Sequence, residues 1–217
     1  MPSSATWMTE FDPGCQRCPR LAGFLEEGRA RHPGYHCAPV PPFGDEAPWL
    51  LIVGLAPGFH GANATGRPFT GDYAGVLLYE TLHRYGWASA AVSSSRDDGL
   101  VLRGARITNA VKCVPPGNKP TPAEIATCND FLRAELGALR PGAVLLALGA
   151  IAHGAVLRAC GLKVARFRFA HGAEHALPAG RTLVDSYHCS RYNTNTRRLT
   201  AQMFRDVVER ATGLARQ

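Results

Sequence analysis

The sequence predicts an α/β protein: a three-layer α/β/α sandwich around a central, four-stranded and mostly parallel sheet. Two observations predict this fold class, namely four short apolar runs of strand length and the segments of helical spacing that separate them. Strands alternating with helices are typical of a parallel sheet covered by helices on both faces. The chain has 217 residues and no internal repeat, so residues 1–217 are predicted to form a single domain.

Each predicted strand is an apolar run that ends at or near Gly, Pro, Cys or His, as expected for strands buried on both faces. In chain order the strands cover residues 49–57, 105–113, 143–149 and 181–188. Ligands of such sheets bind at the carboxyl ends of the strands. The segments GLAPG, NAVKC, ALGAIAH and SYHCSRYN are therefore expected along one edge of the sheet.

The segments between and after these strands carry helical spacing. They are AGVLLYETLHRYG after Tyr73, TPAEIATCNDFLRAELGAL after Pro120, AIAHGAVLRACG after Gly149 and LTAQMFRDVVERATGLA near the end of the chain. Thr121 and Glu124 form a capping-box pattern around a proline at the first helical position. The segment 88–98, ASAAVSSSRDD, is predicted to be a mobile loop.

The charge of the chain suits a polyanionic partner. Lysine and arginine total 24 residues against 17 aspartates and glutamates, a formal net charge of +7, and only three of the 24 are lysines. Guanidinium groups make bidentate contacts with phosphate, although a GC-rich genome explains an arginine excess equally well. The first residues, MPSSATWMTEFDPGC, lack a basic segment followed by an apolar run, so we expect a cytoplasmic protein with reduced thiols.

Four of the seven cysteines have a spacing typical of a metal centre. Cys15 and Cys18 form a C-x-x-C motif, Cys113 ends a predicted strand, and Cys128 lies in the helix that follows. Two close and two distant cysteines in a cytosolic chain indicate four thiolate ligands, and spacing alone leaves zinc and an iron–sulfur cluster both open. A thioredoxin-like redox pair is disfavoured because no predicted strand precedes Cys15.

The stretch LAPGFHGANATGRPFTGD, residues 55–72, holds four glycines and two prolines and ends on a carboxylate. Glycine lets a ligand approach the backbone closely, so Gly54, Gly58 and Gly61 are predicted close-approach positions, or else they shape a tight turn between strand and helix. No P-loop lysine follows and no G-x-G-x-x-G is present, which disfavours a small-molecule nucleotide enzyme.

Three motifs in this order, GLAPGFHGANATGRPFTGD, TNAVKCVPPGNKPTPAEIATC and SYHCSRYNTNTRRLT, resemble the uracil-DNA glycosylase superfamily, and most closely its family 5. The resemblance runs from about Cys15 to Phe204. It implies a monofunctional enzyme that flips a deaminated base out of DNA and hydrolyses its N-glycosidic bond, which starts base-excision repair. Uracil is the first expected substrate, with hypoxanthine and xanthine as further ones. The resemblance also implies a [4Fe–4S] cluster on Cys15, Cys18, Cys113 and Cys128.

The resemblance implies a role for each site residue. Related families place a glutamate, aspartate or asparagine where this chain has Leu55, which is the family 5 pattern, so Asp72 is expected to serve the attacking water instead. The implied catalytic residues are Asp72, Asn118 and His188, with His188 bonding an oxygen of the base. The implied substrate-binding residues are Gly54, Leu55, Ala56, Gly58, Phe69 and Asn109, with Phe69 stacking on the base. Without the resemblance, Phe69 is typical of a core residue and His188 of a structural histidine. Asn118 is then typical of a turn residue, and Asn109 of an asparagine whose side chain holds the backbone in place.

The segment after His188 resembles the one that enters the minor groove and fills the gap left by the flipped nucleotide. Arg191 and Tyr192 are the candidate wedge residues, and Cys189 stands where related families often have proline. The full set of implied DNA-binding residues is His60, Gly61, Asn63, Ser190, Arg191, Tyr192, Asn193 and Thr194. The protein is expected to be a monomer. The rival hypothesis is a non-catalytic nucleic-acid-binding protein that uses the cluster as a structural or redox-sensing element.

Overall fold

The computed structural model describes residues 11–216. It contains a six-stranded mixed sheet of strand order β1-β3-β2-β4-β6-β5. The strands are β1 (Phe43–Gly44), β2 (Leu50–Gly54), β3 (Ala105–Asn109), β4 (Val144–Leu148), β5 (Glu174–Ala176) and β6 (Thr182–Ser186). Residues 1–10 lie outside the described residues. They include most of the N-terminal stretch that was predicted to lack a signal segment, and the start of the predicted single domain.

The four predicted strands form the parallel centre of this sheet, as β3, β2, β4 and β6. The α/β architecture and the mostly parallel sheet are thus confirmed, whereas the strand count of four was wrong. The two additional strands, β1 and β5, are only two and three residues long and pair antiparallel at the edges. Strands this short leave no periodic pattern in the sequence, which is why they were missed.

Helices cover both faces of the sheet. They are α1 (Pro19–Arg31), α2 (Ala62–Thr65), α3 (Tyr73–Arg84), α4 (Pro122–Ala138), α5 (Ala150–Ala159), α6 (Arg191–Asn195) and α7 (Ala201–Ala215). One apolar core lies between the sheet and α1, α4 and α5, and a second lies between the sheet, α3 and α7. The layers and the four predicted helices are confirmed, and α4 begins with the predicted capping box of Thr121 and Glu124.

Two local features were not visible in the sequence. Cys15 and Cys18 lie just before α1, which starts with Pro19 and has Cys18 as its N-terminal cap. The segment 88–98, predicted to be a mobile loop, is fastened by Asp98, whose carboxylate accepts backbone N–H bonds and pairs with Arg67 at 2.7 Å. Within residues 11–216, no helix is long and apolar enough to cross a membrane.

Candidate active site

A cavity of about 440 Å³ opens at the carboxyl ends of the parallel strands, where the topology rule places a ligand. It is lined by residues that follow β2, β3, β4 and β6 and by the first turns of α3, α5 and α6. Ten of the sequence-predicted residues line it: Leu55, Ala56, Gly58, Phe69, Asp72, Asn109, Asn118, His188, Ser190 and Arg191. Three chain segments far apart in sequence thus converge on one site.

Asp72 is held against the glycine-rich segment. It is half-buried at the start of α3, and its Oδ2 accepts a hydrogen bond from the backbone N–H of Ala62 at 3.1 Å. A β-carbon built on Gly58 or Gly61 would come closer than 3.0 Å to Asp72 Oδ1, a distance that real β-carbons essentially never show. Burial raises the pKa of Asp72, and backbone N–H groups of Ala62 and Gly58 oppose that rise.

The three glycines make room for the protein's own side chains, and their close approach to a nucleotide stays a prediction. Gly54, a predicted substrate-binding residue, is covered by the Asn109 amide and the Phe69 ring. Gly61, a predicted DNA contact, is buried against Asp72. Of the three, Gly58 lines the cavity.

Asn109 ends β3 beneath the cavity and is only 3% exposed. Its side-chain Oδ1 has no hydrogen-bond partner among the described residues. A buried amide oxygen without a partner costs free energy, so such groups in native sites are usually reserved for a ligand or water. The Asn109 side chain therefore lines the cavity with an unpartnered oxygen that does not tie down the backbone.

Phe69 and His188 form a stacked pair at the cavity wall, with ring centroids 5.9 Å apart and an interplanar angle of 24°. Phe69 has a positive φ of 59°, a backbone conformation that costs free energy in a bulky residue. The carbonyl oxygen of Phe69 occupies the space that a side chain at position 75 would need, which explains Gly75. Burial lowers the pKa of His188 to about 4, so its ring is neutral at physiological pH.

Asn118 lies on the exposed margin of the cavity, in a short turn after β3. Its φ of 57° is one that asparagine tolerates better than most residues, as a turn role requires. Since the same residue faces the cavity, the turn fixes the amide at the cavity margin.

The segment after His188 is a short helix, α6, where the sequence suggested a loop. The Ser190 hydroxyl caps it by accepting from the backbone N–H of Asn193, and the Asn193 amide donates to the His188 carbonyl at 2.8 Å. The Arg191 guanidinium lies 5.0 Å from the centre of the Tyr73 ring, and the Thr194 hydroxyl bonds the Tyr73 hydroxyl at 3.2 Å. These contacts fasten α6 across the mouth of the cavity.

Tyr192 is 72% exposed, so its ring extends from α6 into solvent beside the cavity. Cys189 is fully buried and its thiol donates to the Ala74 carbonyl at 3.4 Å. Burial raises the pKa of Cys189 to about 12, which keeps this thiol protonated. The cysteine therefore fixes the segment to α3 by a hydrogen bond, and proline is not needed for that purpose.

The predicted DNA contacts on the glycine-rich segment separate into two groups. His60 is exposed and its Nδ1 lies 3.0 Å from the Tyr35 hydroxyl. Asn63 is fully buried and its amide donates to the Phe59 carbonyl at 3.3 Å. Asn63 thus has a structural contact within the segment and His60 lies on the surface, while the DNA contact of each stays a prediction.

The four cysteines Cys15, Cys18, Cys113 and Cys128 line one small cavity next to α1 and α4. Burial and, to a smaller extent, the neighbouring thiols raise the pKa of Cys113 to about 12. The backbone N–H of Lys112 points at the Cys128 sulfur at 3.3 Å. Four cysteine sulfurs in one cavity, one of which accepts a hydrogen bond from a backbone N–H, fit a thiolate-bound metal centre.

Sequence reasoning missed several residues of the cavity wall. They are Tyr73, Ala74, Leu148, Gly149, Ala150 and Ile151. The segment ALGAIAH was expected at this edge, and that signal could have identified the last four of them, since they span the junction of β4 and α5.

Comparisons with known proteins agree with this site. Residues 41–212 match the model of the family described as the uracil DNA glycosylase superfamily. A type-5 uracil-DNA glycosylase of Thermus thermophilus is 48% identical over 206 residues, which cover 93% of this chain and 94% of that protein. Another, from Pyrobaculum aerophilum, is 44% identical and covers 91% of this chain and 87% of that protein.

A type-4 uracil-DNA glycosylase of Archaeoglobus fulgidus is 40% identical over 114 residues, about half of each chain. The match to type-5 enzymes is thus both longer and higher in identity than this type-4 match. With the family model matching most of the chain, this protein belongs to the uracil DNA glycosylase superfamily.

Proposed function

We propose that this chain removes uracil from DNA by hydrolysing its N-glycosidic bond, and that its cavity also accepts hypoxanthine and xanthine. The observation that carries the proposal is the unpartnered Oδ1 of the buried Asn109 in the same cavity as Asp72 and the neutral ring of His188. Asn109 reads a base edge, His188 bonds a base oxygen, and Asp72 carries negative charge beside the sugar. The names of the type-5 relatives support uracil as the substrate.

The base must leave the duplex to reach this cavity, at a cost of roughly a few kcal/mol. Phe69 supplies an apolar face against which the extruded base packs, and base–aromatic stacking recovers roughly 1–3 kcal/mol. Asn109 then pairs with the base edge, because an amide offers both a donor and an acceptor. The exposed Tyr192 and Arg191, on α6 at the cavity mouth, are placed to fill the gap in the duplex.

Bond cleavage leaves positive charge on the sugar and negative charge on the departing base. His188 in its neutral form donates a hydrogen bond to the base oxygen on which negative charge develops. Asp72 faces the sugar, stabilises its positive charge and orients or deprotonates the water. A pKa raised by burial makes Asp72 a stronger base than an exposed aspartate, and Asn118 at the cavity margin helps to hold the water.

The pocket favours a broad range of deaminated bases. Leu55 and Ala56 line it with apolar side chains, Leu55 at the position where the resemblance implies a polar group in related families, and the cavity of about 440 Å³ is open toward the solvent. A base recognised by stacking, one amide and one histidine is constrained less than one enclosed by a larger number of polar groups. Hypoxanthine and xanthine are therefore the substrates to test beside uracil.

The four cysteines are proposed to hold a [4Fe–4S] cluster. The support for this proposal is that all four line one small cavity and that the backbone N–H of Lys112 donates to the Cys128 sulfur. When bound, the cluster would crosslink the start of α1 to the end of β3 and to α4, and no step of the proposed reaction uses it.

The enzyme is proposed to act as a cytoplasmic monomer on DNA, with its arginine-rich surface on the phosphates. The test is a panel of duplexes that carry one uracil, hypoxanthine, xanthine or undamaged base, followed by chromatography of the released free base. Release of uracil but not of thymine or cytosine is expected. Tight binding of every duplex with no base released would contradict the proposal and leave the non-catalytic DNA-binding protein as the better account.

A further inference from the structure

Three titratable side chains lie close together on the α5 face of the sheet without lining the active-site cavity. His153 on α5 is 2% exposed, Asp185 on β6 is 0% exposed, and His175 on β5 is 12% exposed. His153 Nδ1 lies 2.8 Å from Asp185 Oδ1, and His175 Nε2 lies 3.0 Å from Asp185 Oδ2. The mechanism proposed above uses none of the three.

In this cluster, every side-chain nitrogen of His153 and every side-chain oxygen of Asp185 has a hydrogen-bond partner. His153 Nε2 lies 3.1 Å from the Phe167 carbonyl, and since a carbonyl oxygen can only accept, Nε2 carries a proton. Both Asp185 oxygens and both His153 nitrogens therefore have partners, which favours a hydrogen-bond network over the alternative of a metal ion bound between the three residues.

Buried polar networks of this kind seldom raise stability above that of an apolar core, but they do fix one arrangement of the elements they join. This network joins α5 to β6 and β5. Those are the elements next to His188: α5 begins directly after Gly149, whose N–H donates to the Ser186 carbonyl at 2.8 Å. A β-carbon built on Gly149 would lie 3.6 Å from the β-carbon of His188.

The backbone around Asp185 is bound to the segment 167–175 at several points. Asp185 exchanges hydrogen bonds with this segment, donating to the Ala173 carbonyl at 2.9 Å and accepting from Gly172 at 2.8 Å. Two residues further on, the Tyr187 N–H donates to His171 Nδ1 at 3.2 Å, and the two rings stack. The chain is thus held at residues 185 and 187, immediately before His188.

We propose that His153, Asp185 and His175 are positioning residues that hold the end of β6 against α5 and thereby aim the His188 ring at the base. This inference rests on the role proposed for His188. Asp185→Asn exchanges one acceptor oxygen for an amide and keeps the side-chain volume, so the network loses a bond while the fold keeps its packing. Asn129→Leu is the matched control, because Asn129 also fastens α5, through the Ala155 carbonyl at 2.9 Å, but does not contact β6.

The first readout is the single-turnover rate of uracil excision with enzyme in excess over duplex. Asp185→Asn is expected to slow excision at least tenfold and to change duplex affinity less than threefold, whereas Asn129→Leu keeps the wild-type rate. If Asp185 acts through His188, the double variant Asp185→Asn/His188→Ala is no slower than His188→Ala alone. Fully additive losses, or an equal loss in Asn129→Leu, would overturn the inference.

The second readout needs no catalysis. In protein labelled with ¹⁵N-histidine, Asp185→Asn and the milder His175→Gln are expected to shift the His188 ring resonances, which Asn129→Leu leaves in place. This result keeps the test decisive if Asp185→Asn folds poorly. A wild-type protein that excises no uracil would refute the proposed function, whereas unshifted His188 resonances would refute the positioning role. A tightly bound metal ion that disappears in His175→Gln would refute it as well.

Discussion

The Asp72 carboxylate lies directly over the α-carbon of Gly61. A β-carbon at position 61 would come closer than 3.0 Å to three atoms of that carboxyl group. Two residues eleven positions apart therefore fit together only because one of them has no side chain. This relationship gives the glycine-rich segment a function: it receives the carboxylate on which the proposed chemistry depends.

Gly61→Ala should therefore displace Asp72 and abolish most of the activity. A misplacement of about 1 Å at a reacting group costs on the order of 10²-fold in rate, so a loss of at least that size is expected. The measurement is the single-turnover excision rate, with Gly23→Ala as the control, because nothing lies within 4 Å of a β-carbon built on Gly23. Near-normal activity in Gly61→Ala would show that the position of Asp72 does not matter.

Asn109→Leu should lower activity without lowering stability. The substitution removes a buried oxygen that has no partner, so the free energy of unfolding is expected to stay constant or rise. At the same time kcat/KM for uracil is expected to fall between about 10- and 100-fold, because one good polar contact to a base is worth roughly 1–3 kcal/mol. Urea unfolding and steady-state kinetics on the same preparation test both halves. A destabilised but fully active variant would assign Asn109 a structural role instead.

Because the folded protein disfavours the protonated form of His188, the free energy of unfolding should decrease in mild acid. Its folded-state pKa of about 4 lies below its ordinary value of 6.5, so between these values the unfolded chain binds more protons than the folded one. Stability is therefore expected to fall as the pH decreases from about 6.5 toward 4. His188→Gln lacks this titration and should lose less stability over the same range. Parallel pH dependences of the urea midpoint in the two proteins would contradict the lowered pKa.

Cys113→Ser should remove the absorbance near 400 nm that an iron–sulfur cluster gives, and should loosen the chain around residues 15–18. Cys160→Ser is the control, because Cys160 lies outside the cavity that the four cysteines line. The expected result is loss of iron, a lower unfolding temperature and faster proteolysis near α1 in the first variant only. A colourless wild-type protein with stoichiometric zinc would instead identify a zinc site.

Much of the fold was predictable because its central strands are continuous apolar runs and α4 carries its own cap. The edge strands were not, since β1 and β5 are too short for a pattern and form only through pairing with β3 and β6. Most of the residues that line the cavity were predictable, but the contacts between their side chains were not. No one-dimensional pattern shows that Gly61 faces Asp72, that Asn63 points inward, or that Asp185 bonds two histidines.

The most direct test of the account is the single-turnover rate of uracil excision from duplex DNA by the wild type and by Asp72→Asn. The substitution keeps the size of the side chain and removes its negative charge, so the account predicts a rate loss of at least 10²-fold with the affinity for duplex DNA unchanged. A variant that excises uracil at the wild-type rate would contradict the claim that Asp72 takes the place of the carboxylate missing at Leu55.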